Sequence, residues 1–305
     1  MKGTITALVT PFINNKFDEQ GFRNNIRSQI AAGIDGIVPL GSTGESSTLS
    51  TDEQGRIIEV AVEEAKGKIQ VWIGTGSYCT RQTIEKTKRA QDLGADAAMI
   101  VTPYYNRPTQ EGIFRHFEAI ATNTDIPIIV YNIPGRCSTN IETSTMMRIA
   151  ALPNIVGLKE ASGNMNQAGD ILQALGEKFP DFKVYSGDDI AALPMIALGA
   201  AGVVSVVSNL IPKDVVELVD ASLEGNFVLA RKLHRRLLSL YKVLFIETNP
   251  VPIKTAMHLC GLIQSGECRL PLYSMIPENL DLLSQLLDEM EITDAACCET
   301  QQTTM

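Results

Sequence analysis

Lys159 stands inside IVGLKEASG, residues 155–163, an apolar run that reads as a buried strand. A lysine charge is costly to bury without a partner, so this residue needs a reason to be there. Alternation along a strand puts Ile155, Gly157, Lys159 and Ala161 on one face. Two of these are small and leave room around the amine. Glu160 points to the opposite face and is a poor partner. Two readings stand. A structural lysine pairs with some other buried carboxylate. A functional lysine has its pKa, ordinarily about 10.4, lowered by desolvation. Its neutral amine then attacks a carbonyl and forms a Schiff base.

That chemistry moves protons, since forming an imine expels water and forming an enamine releases a proton. Tyr131, in PIIVYN (127–132), lies on the neighbouring strand and is the candidate shuttle. A chain of hydroxyls, Ser42 or Thr43 and then Tyr105, can relay protons to it. The loop GSTGES (41–46) is a tight strand-to-helix turn. Its amides and hydroxyls can also cradle a carboxylate, as backbone nests do. Beside a Schiff-base lysine, that carboxylate belongs to a keto acid. Arg136 follows a Pro-Gly turn and is either a solvated loop arginine or a fork for a second carboxylate. In SGDD (186–189), Asp188 or Asp189 can cap the following helix, and Gly187 leaves space for substrate. With dispersed His and no ligand spacing, no metal is expected.

These residues need elements to hold them. Eight β-rich runs recur, at 5–10, 36–41, 70–76, 97–103, 127–132, 155–161, 183–187 and 202–207. Most are continuous apolar runs, the mark of parallel strands covered on both faces. Amphipathic stretches such as 52–67 and 81–94 separate them, each ending at Gly as helix C-termini often do. The alternation predicts a (β/α)8 TIM barrel over residues 1–224. A doubly wound open sheet is the alternative, weakened by the lack of GxGxxG after the first strand. In a barrel the active site lies at the C-terminal strand ends, where every residue named above falls. From 225 to 305 the pattern turns helical and predicts an appendage packed on the barrel.

Composition sets outer limits. The chain has 305 residues, is 45% hydrophobic and carries a net charge of −9. No basic patch favours nucleic acid. No apolar run reaches the roughly 18 residues of a membrane span. MKGTITALVTPF reads as a strand rather than a signal peptide. Cysteines at 79, 137, 260, 268, 297 and 298 contain no CxxC pair. That usage fits a reduced cytoplasmic setting better than a disulfide framework, and the Cys297–Cys298 pair reads as an incidental tail feature.

GSTGES, VTPYYNRPTQEG, YNIPGR, GLKEASG, SGDD and NPVPIK occur together in the order and spacing of the dihydrodipicolinate synthases (4-hydroxy-tetrahydrodipicolinate synthases). The chain resembles this family over residues 3 to 290. Single motifs are shared with N-acetylneuraminate lyase and other pyruvate-dependent class I aldolases. The resemblance implies that Lys159 forms an imine with pyruvate, with no separate cofactor. It makes Tyr131, Ser42 and Tyr105 the proton relay, with Tyr105 reaching in from a neighbouring subunit. It makes Thr43 the binder of the pyruvate carboxylate and Arg136 the binder of the carboxylate of L-aspartate-4-semialdehyde. Gly187 and Val204 line the site through their backbone. The implied assembly is a homotetramer built from dimers.

The chain departs from the family's usual pattern in places. Ser42 stands where Thr is usual, keeping a hydroxyl but losing the methyl that restricts the rotamer. Serine there also resembles the lyases, which lack an arginine matching Arg136. A pyruvate-releasing aldolase of sugar acids is therefore the alternative enzyme, and a non-catalytic ligand-binding barrel is a third reading. Cys137 replaces a frequent Thr. Where lysine-inhibited members carry His, Asn and Glu, this chain has Gln54, Tyr78 and Gln82, and Thr51 replaces another frequent His. Losing the acidic group weakens capture of lysine's ammonium groups, so feedback inhibition should be weak or absent. Half inhibition at low micromolar lysine would overturn that expectation.

Overall fold

The computed structural model describes residues 2–292; Cys297 and Cys298 lie outside them. Eight parallel strands close into a barrel in chain order. They are β1 (Gly3–Ala7), β2 (Gly36–Val38), β3 (Gln70–Gly74), β4 (Ala97–Val101), β5 (Ile128–Asn132), β6 (Ile155–Glu160), β7 (Lys183–Ser186) and β8 (Gly202–Ser205). Each overlaps one of the eight apolar runs, β1 starting two residues ahead of its run at 5–10. Most ladders are shorter than the runs: the chain turns at Pro39–Leu40 after β2, where Leu40 has φ +59°, and enters a helical turn at Val206 after β8. β2 ends ahead of Pro39, which has no N–H to give. The Leu8 amide, past the end of β1, still bonds the Val38 carbonyl at 3.1 Å.

The open-sheet alternative does not hold. β1 pairs with β8 on one side (Gly3 opposite Gly202) and with β2 on the other (Ile5 opposite Gly36), so no edge remains. Closure depends on a close backbone approach. A Cβ at Gly202 (φ +153°) would stand 1.8 Å from the Gly3 carbonyl oxygen, so only glycine fits. Every residue of β1, β5 and β8 is buried, as expected for strands covered by side chains inside and helices outside.

The stretches expected at 52–67 and 81–94 form helices Thr51–Ala65 and Thr80–Asp92, with Gly67 and Gly94 just past their ends. The first begins with a reciprocal capping box between Ser50 and Glu53. The Glu53 carboxylate also takes both arms of Arg269, at 2.9 and 2.6 Å.

Helices Phe227–Val243, Val251–Leu259 and Pro277–Glu289 follow the barrel. Leu233, Leu237, Leu240, Ile253, Met257 and Leu283 share one continuous apolar core with barrel residues such as Val203 and Leu158. A buried ion pair adds a second attachment. Lys254 Nζ lies 2.6 Å from Glu45 Oε1, and both side chains are almost wholly excluded from solvent. Glu45 Oε2 accepts the Arg269 amide at 2.9 Å, and the Phe12 ring lies 4.3 Å from the Lys254 ammonium. Breaking one side of such a pair costs about 3–5 kcal/mol in general, so the pairing holds the two partners in register. Glu45 belongs to the GSTGES loop, so the appendage braces the loop that carries Ser42 and Thr43. No helix among the described residues is long and apolar enough to cross a membrane.

Candidate active site

β5, β6 and β7 lie side by side, with Tyr131 opposite Lys159 and Lys159 opposite Tyr185. Lys159 is 4% exposed, and its Nζ lies 4.2 Å from the centre of the Tyr131 ring. Burial pulls the Lys159 pKa down to about 7. The Asp189 carboxylate opposes this, the Arg136 guanidinium adds to it, and Asp188 opposes it again. Burial wins because no carboxylate among the described residues forms an ion pair with Lys159. Glu160 is occupied on the other face, accepting from Asn132 Nδ2 (3.0 Å) and the Ser162 amide (2.6 Å). Near neutral pH about half of the amine is therefore in its neutral, potentially nucleophilic form. Burial raises the Tyr131 pKa well above its ordinary value, against the pull of Arg136. Its hydroxyl stays protonated and can donate.

The two aspartates of SGDD separate in role. Asp188 caps the short turn that follows, accepting from the Ile190 amide at 3.3 Å. Asp189 turns inward and is 2% exposed. Its carboxylate accepts from Ser205 Oγ (2.5 Å), the Val206 amide (2.9 Å) and the Val207 amide (3.3 Å), all at the end of β8. Burial pushes its pKa up to about 6 against those bonds. Asp189 thus ties β7 to β8 and supplies the negative potential that keeps the Lys159 pKa from falling further.

Thr43 is buried, and its Oγ1 accepts a hydrogen bond from Asn249 Nδ2 at 2.9 Å. Arg136, exposed in the short helix Pro134–Cys137, donates from Nη2 to the Asn249 carbonyl at 2.9 Å. Asn249 therefore bridges the loop after β2 to the loop after β5. Gly187 presses on the lysine itself. A Cβ there would meet Ala161 Cβ at 2.6 Å, Lys159 Cε at 3.0 Å and Lys159 Cγ at 3.1 Å. Val204 is fully buried in β8, paired with Ile5.

Two residues stand apart. Ser42 is exposed, and Tyr105 is 91% exposed with φ +70°. No hydrogen bond among the described residues joins either to Tyr131. A single copy therefore gathers Lys159, Tyr131, Gly187, Thr43 and Arg136 but leaves Tyr105 facing outward.

Sequence reasoning left NPVPIK without a role, yet it supplies Asn249 and Lys254 to the mouth of the barrel. A signal for Lys254 was available. A lysine in the apolar run VPIKTAM poses the same question as Lys159. No local signal existed for Asn249, and Asp189 reads as a helix cap because its β8 partners lie 16 to 18 residues away.

The description "Dihydrodipicolinate synthetase family" fits residues 1–290 of the chain. The 4-hydroxy-tetrahydrodipicolinate synthase of Protochlamydia amoebophila is 52% identical over 291 residues, covering 95% of this chain and 97% of that relative. The crystal structure of dihydrodipicolinate synthase from Aquifex aeolicus superimposes with a TM-score of 0.93 at 45% identity, over 96% of this chain and 99% of that one. The chloride-inhibited dihydrodipicolinate synthase of Acinetobacter baumannii, solved complexed with pyruvate, matches with a TM-score of 0.92 at 39% identity, over 95% of this chain and 99% of that one. Fold, motifs and full-length similarity converge, and the chain belongs to the dihydrodipicolinate synthetase family.

Proposed function

We propose that this chain condenses pyruvate with L-aspartate-4-semialdehyde to give 4-hydroxy-tetrahydrodipicolinate, a step of lysine and diaminopimelate biosynthesis. The observation that carries the mechanism is a buried amine with a pKa near 7, set against a tyrosine ring on the adjacent strand. Lys159 Nζ attacks C2 of pyruvate, and loss of water leaves an imine. A C3 proton leaves to form the enamine, whose C3 attacks the aldehyde carbon. The aldehyde oxygen takes up a proton and becomes the hydroxyl. The amino group of the second substrate then attacks C2 and expels Lys159, which returns to the free amine. Tyr131 gives and takes these protons, a reading supported by its ring lying 4.2 Å from Lys159 Nζ.

Thr43 donates to the pyruvate carboxylate from the buried loop, and Arg136 receives the second carboxylate where the site opens to solvent. Gly187 and Val204 line the wall. Ser42 hands protons between Tyr131 and Tyr105, and Tyr105 belongs to the site of a neighbouring copy. Its exposure in a single chain supports that reading, as does the exposed Tyr78 beside Tyr104, with rings 5.7 Å apart. The assembly proposed is a homotetramer built from dimers, working in the cytoplasm where cysteines stay reduced. Arg136 favours the semialdehyde over a sugar acid such as N-acetylneuraminate, because only the small acidic aldehyde brings a carboxylate to that position.

Imine formation should follow the free-amine fraction of Lys159. Its folded pKa is lowered to about 7, so the amine is protonated and inert below that value. Borohydride trapping of the pyruvate adduct should rise several-fold from about pH 6 to about pH 8 and then level. The Lys159→Ala variant should trap nothing at any pH. A flat wild-type profile over that window would remove the shifted amine from the mechanism. Condensation of the two substrates, coupled to a downstream reductase, tests the reaction itself, with N-acetylneuraminate cleavage as the control.

A further inference from the structure

Asn249 opens the segment that sequence reasoning left without a function, and it touches both groups read as carboxylate binders. Its side-chain Nδ2 donates to Thr43 Oγ1 at 2.9 Å, while its main-chain carbonyl accepts from Arg136 Nη2 at 2.9 Å. It is 5% exposed, and its Oδ1 has no partner among the described residues. It is held by the appendage, two residues before helix Val251–Leu259 begins, and five residues before Lys254, whose ion pair with Glu45 reaches back to the Thr43 loop.

The direction of the Thr43 bond matters. An amide N–H only donates, so the threonine oxygen must accept there. A hydroxyl has one proton, and it cannot point back along a bond in which its own oxygen is the acceptor. Among the described residues that proton has no acceptor. We infer that Asn249 is a positioning residue: its Nδ2 locks the Thr43 hydroxyl rotor so that its single O–H faces the keto-acid carboxylate. Without the lock, the rotor samples orientations in which the proton is directed elsewhere, and ground-state capture of the keto acid weakens. The Arg136 bond uses the main chain of Asn249 and survives a side-chain change. The two carboxylate sites should therefore respond separately.

This inference rests on the reading of Thr43 as the pyruvate donor, and the experiment separates the two. Thr43→Val, Asn249→Ala and the double variant are compared for pyruvate KM, aldehyde KM and kcat. The expected result is a rise of about three- to tenfold in pyruvate KM for Asn249→Ala, the effect of weakening one hydrogen bond to a charged group. Aldehyde KM should change less than about twofold, since coupling through an untouched main-chain carbonyl is small. In the Thr43→Val background, Asn249→Ala should add nothing further to pyruvate KM. A general loss of structure would move both KM values and would add in the double variant. Equal factors in both backgrounds, or no effect in the wild type, would overturn the role of Asn249 while leaving Thr43 in place. An unchanged pyruvate KM in Thr43→Val would overturn both. Asn249→Asp preserves the shape if alanine impairs folding. A carboxylate there only accepts, so it should draw the Thr43 proton away and raise pyruvate KM further than alanine does. An Asp variant indistinguishable from wild type would also overturn the inference.

Discussion

Lys159→Ala folds, binds pyruvate without trapping it and loses activity by a factor on the order of 10⁴ or more, as expected when a covalent nucleophile is deleted. The fold survives because the barrel does not depend on this amine. Lys159 is a buried amine whose charged form is penalised, with its pKa drawn from 10.5 down to about 7. Its removal therefore relieves an electrostatic cost while leaving a small void. The linkage sign follows from the direction of the shift. Between about 7 and 10.5 the unfolded amine holds more proton than the folded one, so Lys159 destabilises the fold most below about pH 7. That penalty fades as pH rises toward the unfolded value. The stability of wild type relative to Lys159→Ala should accordingly improve with pH across this window. Turnover is read by the coupled condensation assay and stability by denaturant midpoints at several pH values. Turnover of the variant within about tenfold of wild type would mean that another group forms the covalent adduct.

Gly187→Ala tests the geometry around the same amine without removing any chemical group. The added methyl would sit 2.6 Å from Ala161 Cβ and 3.0 Å from Lys159 Cε. The first contact is too short for any pair of real carbons. Ala161 cannot rotate away, because its Cβ is fixed to the backbone just beyond β6. The end of β7 must move back, or the lysine stem must move aside, and either displaces Nζ from its station over Tyr131. A shift of about 1 Å at a reacting atom costs roughly 100-fold in rate, and kcat/KM should fall by that order. Stability should fall by about 1–3 kcal/mol, as for other overpacked sites. Borohydride trapping of pyruvate should slow in parallel with turnover, because the displaced group is the nucleophile. Ala161→Gly in the same chain removes the worst contact and should recover part of the loss. Activity close to wild type in Gly187→Ala would show that the strand end yields without carrying the amine with it.

Much of the architecture was legible from the order of residues alone. Continuous apolar runs mark parallel strands covered on both faces, and eight of them separated by amphipathic helices leave little besides a barrel. Lys159 was legible as an anomaly, because a charge within such a run must be explained. The placement of Tyr131 beside it followed once strands β5 and β6 were taken as neighbours. These signals are local: a buried strand shows as one short apolar run and a helix as a repeat every three to four residues, and nothing distant is needed to read them.

What the tertiary structure decided has no local period. Thr43 meets Asn249 across 206 positions and Glu45 meets Lys254 across 209. Nothing near either residue announces its partner, because the contact exists only after the barrel closes and the appendage folds back over its mouth. Asp189 reads as a helix cap until β8 arrives beside β7 and offers Ser205 and two amides, which satisfy a buried carboxylate better than a helix end does. The lowered pKa of Lys159 is likewise a property of the folded site: the residue type supplies an amine, but only burial on all sides without an ion-pair partner turns it into a nucleophile. Tyr105 marks the limit of a single copy, since its hydroxyl faces solvent and its proposed task needs a second chain. The residue pattern by itself determined the barrel and singled out its amine. Closure of the chain determined that amine's protonation and the bracing of its neighbours, because burial and long-range hydrogen bonds exist only between segments that folding brings together.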